Sequence, residues 1–480
     1  VTAVSATPDA FARAAERVAD RVNPIVVKEV RQGLRTRTFW IFFAVMLLAN
    51  LTISLVAWAA AEESAQIGQG AFIGYFVCLA CVQFFVIPYS AYRSMSREAE
   101  EETWVLLLLT GLGGCNIVRG KWVSAMSQAL LFASAAAPFV VFTYFLNGID
   151  IPQVIISLLM LAGWTCLLTA LAIAIATQAH SRLGRTFAHF VALATLGGGT
   201  LVAFAFVSVM AKEGSQLVQQ GTFVTFCLGA FVLSLACTWL ALEGAGAGLA
   251  LVSEAASAGP RKAMAAVVVL GLAIGVAACV YHAPTRDAPA AGSVMTSVFL
   301  VICGAFAISE KDGVPARSAG AGWKKPGALR SYWLVVGLLA LCTVAWGGVY
   351  GVVAGGDSLG KRLRTLLGAP LYPMLYLSAA AFFGRVTALR KMGEPLATRI
   401  AFAVTVLLGT VVPPVIARVG AGRGNDELVN ALNPVVGMVN FMDRSGQVLD
   451  EALLFLAAVT VLFTFLAGTV LHARDGVRAA

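Results

Sequence analysis

Twelve stretches of roughly twenty apolar residues, nearly free of charge, recur along this 480-residue chain, and they constrain its fold more than any other feature. Each is long enough to cross a hydrocarbon core of about 30 Å as a helix rising about 1.5 Å per residue. They fall near 39–60, 71–92, 122–146, 152–179, 186–211, 222–242, 263–281, 291–308, 332–354, 366–384, 399–417 and 450–472. The seventh and eighth are Ala- and Gly-rich and the tenth is interrupted by Pro370 and Pro373, which brackets the count between eleven and thirteen. Hydrocarbon offers no partner to a bare backbone amide, so such runs predict an all-α polytopic membrane protein. Charged residues make up 12% of the chain against about 25% in soluble domains, too few to clothe a water-facing globule.

The polar stretches between the runs are short: 1–38, 93–121 and 418–450 are the longest. None can house an independent domain of about 50 residues or more, which argues against a nucleotide-binding or hydrolase domain and against an enzyme. The pattern divides into an N-terminal segment (1–38), a first six-span part (39–242) and a second part of about six spans (243–480). The first apolar run is read as an uncleaved anchor. With the N-terminus in the cytoplasm, 26 of the 34 Lys and Arg residues fall on the inner side. The positive-inside rule therefore predicts cytoplasmic N- and C-termini, with 61–70, 147–151 and 418–450 outside. The net charge of +9 is accounted for by these loops, and no nucleic-acid surface is needed to explain it.

No Asp, Glu, Lys or Arg lies deep in any of these runs, where ion-coupled carriers and ion channels often place one. The polar groups there are neutral: Asn50, Thr52, Gln83, Gln128, Thr165 and Gln178. Their first expected use is hydrogen bonding between packed helices, with a polar translocation path as the alternative. Gly355, Gly360 and Lys361 match a phosphate-loop spacing, but Arg362 stands where Ser or Thr would hold magnesium and no strand precedes it. Cys78 and Cys81 form a C-x-x-C inside a span with no further ligand nearby, so no metal site is expected.

Two polar segments carry more information. In NPIVVKEVRQGLRTR, Asn23 can cap a helix with Pro24 in its first turn. Val26, Val30 and Leu34 share one face, while Lys28, Arg31, Gln32 and Arg35 project elsewhere, as in a helix lying on the membrane surface. A merely topogenic basic flank is the alternative. In SREAEEETWVLLLLTGLGGCNIVRGKW, Ser96 is placed to cap a second helix whose opening turns carry Glu98, Glu100, Glu101 and Glu102. Carboxylates on an inner loop run against the basic bias there; a solvated face would need no partner for them.

The order of these features resembles the membrane subunits of type 2 ATP-binding-cassette (ABC) exporters, in particular bacterial multi-span permeases that open with N-P-x-x-x-K-E-x-R. The likeness covers about 23–185, including APFVVFTYFLNGIDIP between the third and fourth spans, with an echo at Asn433-Pro434 before the last. It implies that Lys28, Glu29, Arg31 and Arg35 belong to an entrance helix beside an ATPase subunit, and that 96–120 holds the coupling helix, with Glu98, Glu100, Glu101, Glu102 and Thr103 at the docking contact. ATP and magnesium would sit on a separate ATPase chain, this chain holding no cofactor. The chain would be paired as a homodimer or with a second permease in the bacterial inner membrane, among its lipids. Two features depart from the family: Glu102 replaces the Gly of E-x-G-T, and twelve spans replace the common six without a second entrance helix. The expected function is thus a permease subunit of an ATP-driven exporter. The alternatives are a secondary carrier and a non-transporting scaffold or lipid-modifying protein. Neutral spans suit lipids, hydrophobic peptides or conjugates alike.

Overall fold

The computed structural model describes residues 24–59, 67–100, 113–146, 149–178, 182–250, 257–281, 288–310, 327–353, 359–387, 394–419, 426–443 and 447–479. These residues are helical apart from short turns, and twelve of their helices are long and apolar enough to cross a membrane, as the apolar runs predict. The chain forms two units, Val1–Ala250 and Leu251–Ala480.

The first unit contains α1 (Pro24–Arg35), α2 (Arg37–Ala59), α3 (Ile67–Cys81), a π-helical turn (Val82–Val86), α4 (Ile87–Glu100), α5 (Gly114–Phe145), α6 (Ile151–Thr177), α7 (Arg182–Gln219) and α8 (Gly221–Leu249). α6 starts on a capping box: the Gln153 side chain accepts from the Asp150 amide at 2.6 Å, and Pro152 stands in the first turn. The same Gln153 donates to the Met210 carbonyl at 3.0 Å, tying α6 to α7. Small residues let the helices close up: a side chain at Gly163 would meet Ser234 Oγ at 2.6 Å, and one at Gly199 would meet Leu168 at 2.8 Å. Outer helices such as α2 expose Leu48, Leu55 and Trp58, an apolar surface that suits lipid.

The polar groups inside the spans behave unevenly. The π turn presents buried Gln83, whose amide donates to the Ala129 carbonyl at 3.3 Å and accepts from Thr165 Oγ1 at 2.7 Å, so these two residues do join helices. Thr52 instead bonds the Leu48 carbonyl of its own helix, and the buried Asn50 amide has no hydrogen-bond partner among the described residues.

The second unit contains α9 (Ala258–Tyr281), α10 (Ala288–Ala307), α11 (Ala328–Val353), α12 (Leu359–Val386), α13 (Glu394–Val419), α14 (Asp426–Asn430), α15 (Val436–Asp443) and α16 (Gln447–Ala479). α12 is its axis, continuous through Pro370 and Pro373 although the sequence suggests an interruption. Pro370 cannot bond the Leu366 carbonyl four residues back, and Ser293 Oγ from α10 donates to that carbonyl at 3.1 Å. Pro414 in α13 likewise frees the Thr410 carbonyl, which accepts from Asn433 Nδ2 at 2.7 Å. Asn433 Oδ1 meanwhile caps α15 by accepting from the Val435 and Val436 amides at 2.9 Å. Asn433 thus opens the eight-residue α15 with its oxygen and ties it to α13 with its nitrogen.

Buried charge in this unit is paired or bonded. Arg261 donates to Ser331 Oγ at 2.7 Å and to the Gly327 carbonyl at 2.9 Å, and it forms an ion pair with Glu310. Burial pushes the Glu310 carboxyl up from the ordinary carboxylate range, against the pull of the guanidinium. Gly327 has φ 146°, a backbone region that favours glycine. Arg364 grips Asp450 through two bonds, at 2.6 and 3.1 Å.

Candidate functional site

Within the first unit, Glu29 of α1, Glu98 in the last turn of α4 and Lys121 near the start of α5 come together. α1 is amphipathic: Val26, Val30 and Leu34 are half-buried, while Lys28, Arg31, Gln32 and Arg35 are exposed. Gly33 allows α1 to lie against α5, since a side chain there would overlap the Gln128 amide. The corner into α2 is held by Thr36 Oγ1 donating to the Gly33 carbonyl at 2.7 Å and by Trp40 Nε1 donating to the Leu34 carbonyl at 2.9 Å. These bonds satisfy carbonyls that the end of α1 leaves open.

Lys121, in the second turn of α5, is the centre of the arrangement. Its side chain is 3% exposed, and its ammonium meets Glu98 of α4 at 2.7 Å, Glu29 of α1 at 3.2 Å and Ser94 Oγ at 2.8 Å. An ammonium has three N–H donors, and each finds an acceptor here. Three elements distant in sequence are thereby clasped: the surface helix, the end of the second span and the start of the third. Glu98 Oε2 is buried without a hydrogen-bond partner among the described residues.

The adjoining helix ends are joined too. Gly114 and Gly246 bring α5 and α8 into backbone contact, a side chain at Gly114 meeting the Gly246 carbonyl at 2.8 Å. Arg119 pairs with Glu243 just above. Glu100 approaches Arg185 of α7 at 4.0 Å, an exposed pairing of little strength.

Of the expected coupling residues, Glu98 and Glu100 lie on α4, whereas Glu101, Glu102 and Thr103 lie outside the described residues. Of the expected entrance-helix residues, Glu29 turns inward to Lys121, and Lys28, Arg31 and Arg35 face outward. Ser96 does not cap a new helix: α4 runs from Ile87 to Glu100 without a break, because nothing in Tyr-Arg-Ser-Met-Ser-Arg-Glu-Ala-Glu stops a helix. α5 starts at Gly114, two turns earlier than its apolar run, which makes Arg119 and Lys121 helical. Sequence reasoning counts Lys121 among the topogenic charges. The missed signal is periodicity: Ile117, Lys121, Ala125, Ala129, Phe132, Ala136 and Val140 form one stripe at helical spacing, and all are buried.

No family model matches the chain, and no solved structure matches it. Among curated proteins, the probable ABC transporter permease protein NosY of Stutzerimonas stutzeri is 28% identical over 192 residues, 39% of this chain. The chain spans 59% of that relative's length. It is therefore a multi-pass helical membrane protein that, over those 192 residues, is similar to an ABC transporter permease.

Proposed function

We propose that this chain is the permease subunit of an ATP-driven export system of the type 2 ABC class in a bacterial inner membrane, with both termini cytoplasmic. A separate ATPase subunit, carrying ATP and magnesium, docks at the end of the first unit formed by α1, the last turn of α4 and the following 101–112 segment. Chemistry stays on that partner; this chain supplies motion. The observation that carries the reading is the Lys121 clasp, which joins the surface helix to the helix leading into the acidic segment. A push on that segment reaches α4, α5 and α1 together through one buried ammonium, as a rigid-body transition between two arrangements requires. The similarity to NosY supports the family. Two such chains, or this one and a second permease, pair over two ATPases, because only one acidic segment of this kind occurs in the sequence.

The test is charge reversal of Glu100, Glu101 and Glu102 to Lys in the full chain. Exposed pairs contribute only about 0.2–1 kcal/mol each, so the three are changed together. The reading expects normal membrane insertion with weakened ATPase co-purification and lost ATPase stimulation. Undiminished association would refute the docking assignment.

A further inference from the structure

Beside the clasp, α4 and α7 enclose a cleft of about 350 Å³ with a distinct chemistry. Arg93 and Arg97 lie one turn apart on α4, both exposed, and neither has an ion pair among the described residues. Like charges at that spacing repel each other. Arg185 of α7 faces them across the cleft, which Tyr92 and His189 also line, their rings 5.6 Å apart. One carboxylate also lines the cleft: Glu100 stands 4.0 Å from Arg185 and offsets one of the three charges, while Glu98 pairs with Lys121, so the lining keeps a net excess of two cations.

The position of the cleft decides what kind of anion it suits. It lies where the span Ile67–Glu98 ends and the span Gly184–Gln219 begins, and the end of a span is where a helix leaves the hydrocarbon for the headgroups. Phe187 and Phe190, on the first turns of the α7 span, are 70% and 66% exposed, and Phe190 borders the cleft itself. Exposed phenylalanines on a spanning helix suit acyl chains, so the cleft has an apolar rim at Phe190 beside its cationic lining. A soluble phosphate has no use for that apolar rim. We propose that this cleft binds the phosphodiester headgroup of an anionic membrane lipid, with Arg93, Arg97 and Arg185 as the cationic donors and the lipid's tails lying along Phe187 and Phe190. Basic pockets between spanning helices are suited to such headgroups, each Arg contributing about fivefold in affinity. The site needs no ATPase, so it stands or falls separately from the coupling reading.

The experiment is native mass spectrometry of the full chain in detergent, titrated with phosphatidylglycerol or phosphatidylcholine. The wild type retains phosphatidylglycerol in preference to phosphatidylcholine, and millimolar inorganic phosphate does not displace it. The variant Arg93→Gln/Arg97→Gln/Arg185→Gln loses about a hundredfold in phosphatidylglycerol affinity. Arg93→Gln/Arg97→Gln, which alters only exposed side chains and keeps the fold, loses about 25-fold. Equal retention of the two lipids, displacement by inorganic phosphate, or unchanged affinity in the double variant would overturn the proposal.

Discussion

Replacing Lys121 with Met removes the one cation that Glu29 and Glu98 share and leaves two carboxylates facing each other. Breaking a fully buried pair by deleting one partner costs about 3–5 kcal/mol. Here the lysine is 3% exposed but Glu29 and Glu98 are 16% and 19% exposed, so some hydration remains and a cost of about 2–3 kcal/mol is expected. Replacing the whole set, Lys121→Met/Glu29→Gln/Glu98→Gln, leaves no stranded charge and should cost within about 1 kcal/mol. At about 2–4 °C per kcal/mol for a unit of this size, the single variant should unfold some 5–10 °C lower and the triple variant within about 3 °C of wild type. The assay is thermal unfolding in detergent with a thiol-reactive dye, in a background that keeps only Cys227, which is buried in the first unit. A single variant as stable as wild type would show that Lys121 is not buried in a charge cluster. A triple variant that falls as far as the single would show that the aliphatic stem, and not the charge, holds the helix ends together.

In the second unit, Asn433→Ala removes the cap of α15 and the donor to the carbonyl freed by Pro414, and should cost about 1–3 kcal/mol, read as earlier exposure of buried Cys342. Asn433→Asp keeps the cap and loses the donor, and should fall between the two. Gly246→Val places methyl groups against Cys115, whose backbone lies within about 3.1 Å of the added Cβ, and should destabilise the first unit by about 1–3 kcal/mol, read by circular dichroism melting with all native cysteines kept; unchanged stability would mean α5 and α8 do not touch. Single cysteines replacing Ser64 or Gly148 in a cysteine-free chain should react with impermeant reagents from the outer side, and labelling from the cytoplasm alone would reverse the orientation.

The fold was largely legible because lipid imposes one rule on every span: roughly twenty apolar residues must satisfy their own backbone. Twelve runs became twelve helices, and the amphipathic face of 24–35 is visible in the spacing of Val26, Val30 and Leu34. Helix ends were less legible, because an apolar window ends where charge begins while the helix continues. α4 therefore runs on to Glu100, and α5 begins at Gly114. What hydropathy hid were buried charges near those ends. Lys121, Arg261 and Arg385 are topogenic by composition yet nearly inaccessible in the structure, their positions fixed by partners 92, 49 and 77 residues away. A window average cannot see a partner at that separation, although the stripe through Ile117, Lys121 and Ala125 marks the face on which the lysine lies. The tenth run misleads in the same way: Pro370 looks like a break until Ser293 bonds the carbonyl that it frees.

The proposed function rests on a partner that binds nucleotide, and the mass of the solubilised complex tests this most directly. The full chain is co-expressed with a candidate phosphate-loop ATPase subunit and weighed intact by native mass spectrometry, with ATP turnover measured on the same preparation. The expected result is two membrane subunits with two ATPase subunits, whose turnover is lost when Glu100, Glu101 and Glu102 are changed to Lys. A chain that purifies at its own mass with no ATPase, beside an ATPase whose turnover is the same with or without it, would contradict the permease reading.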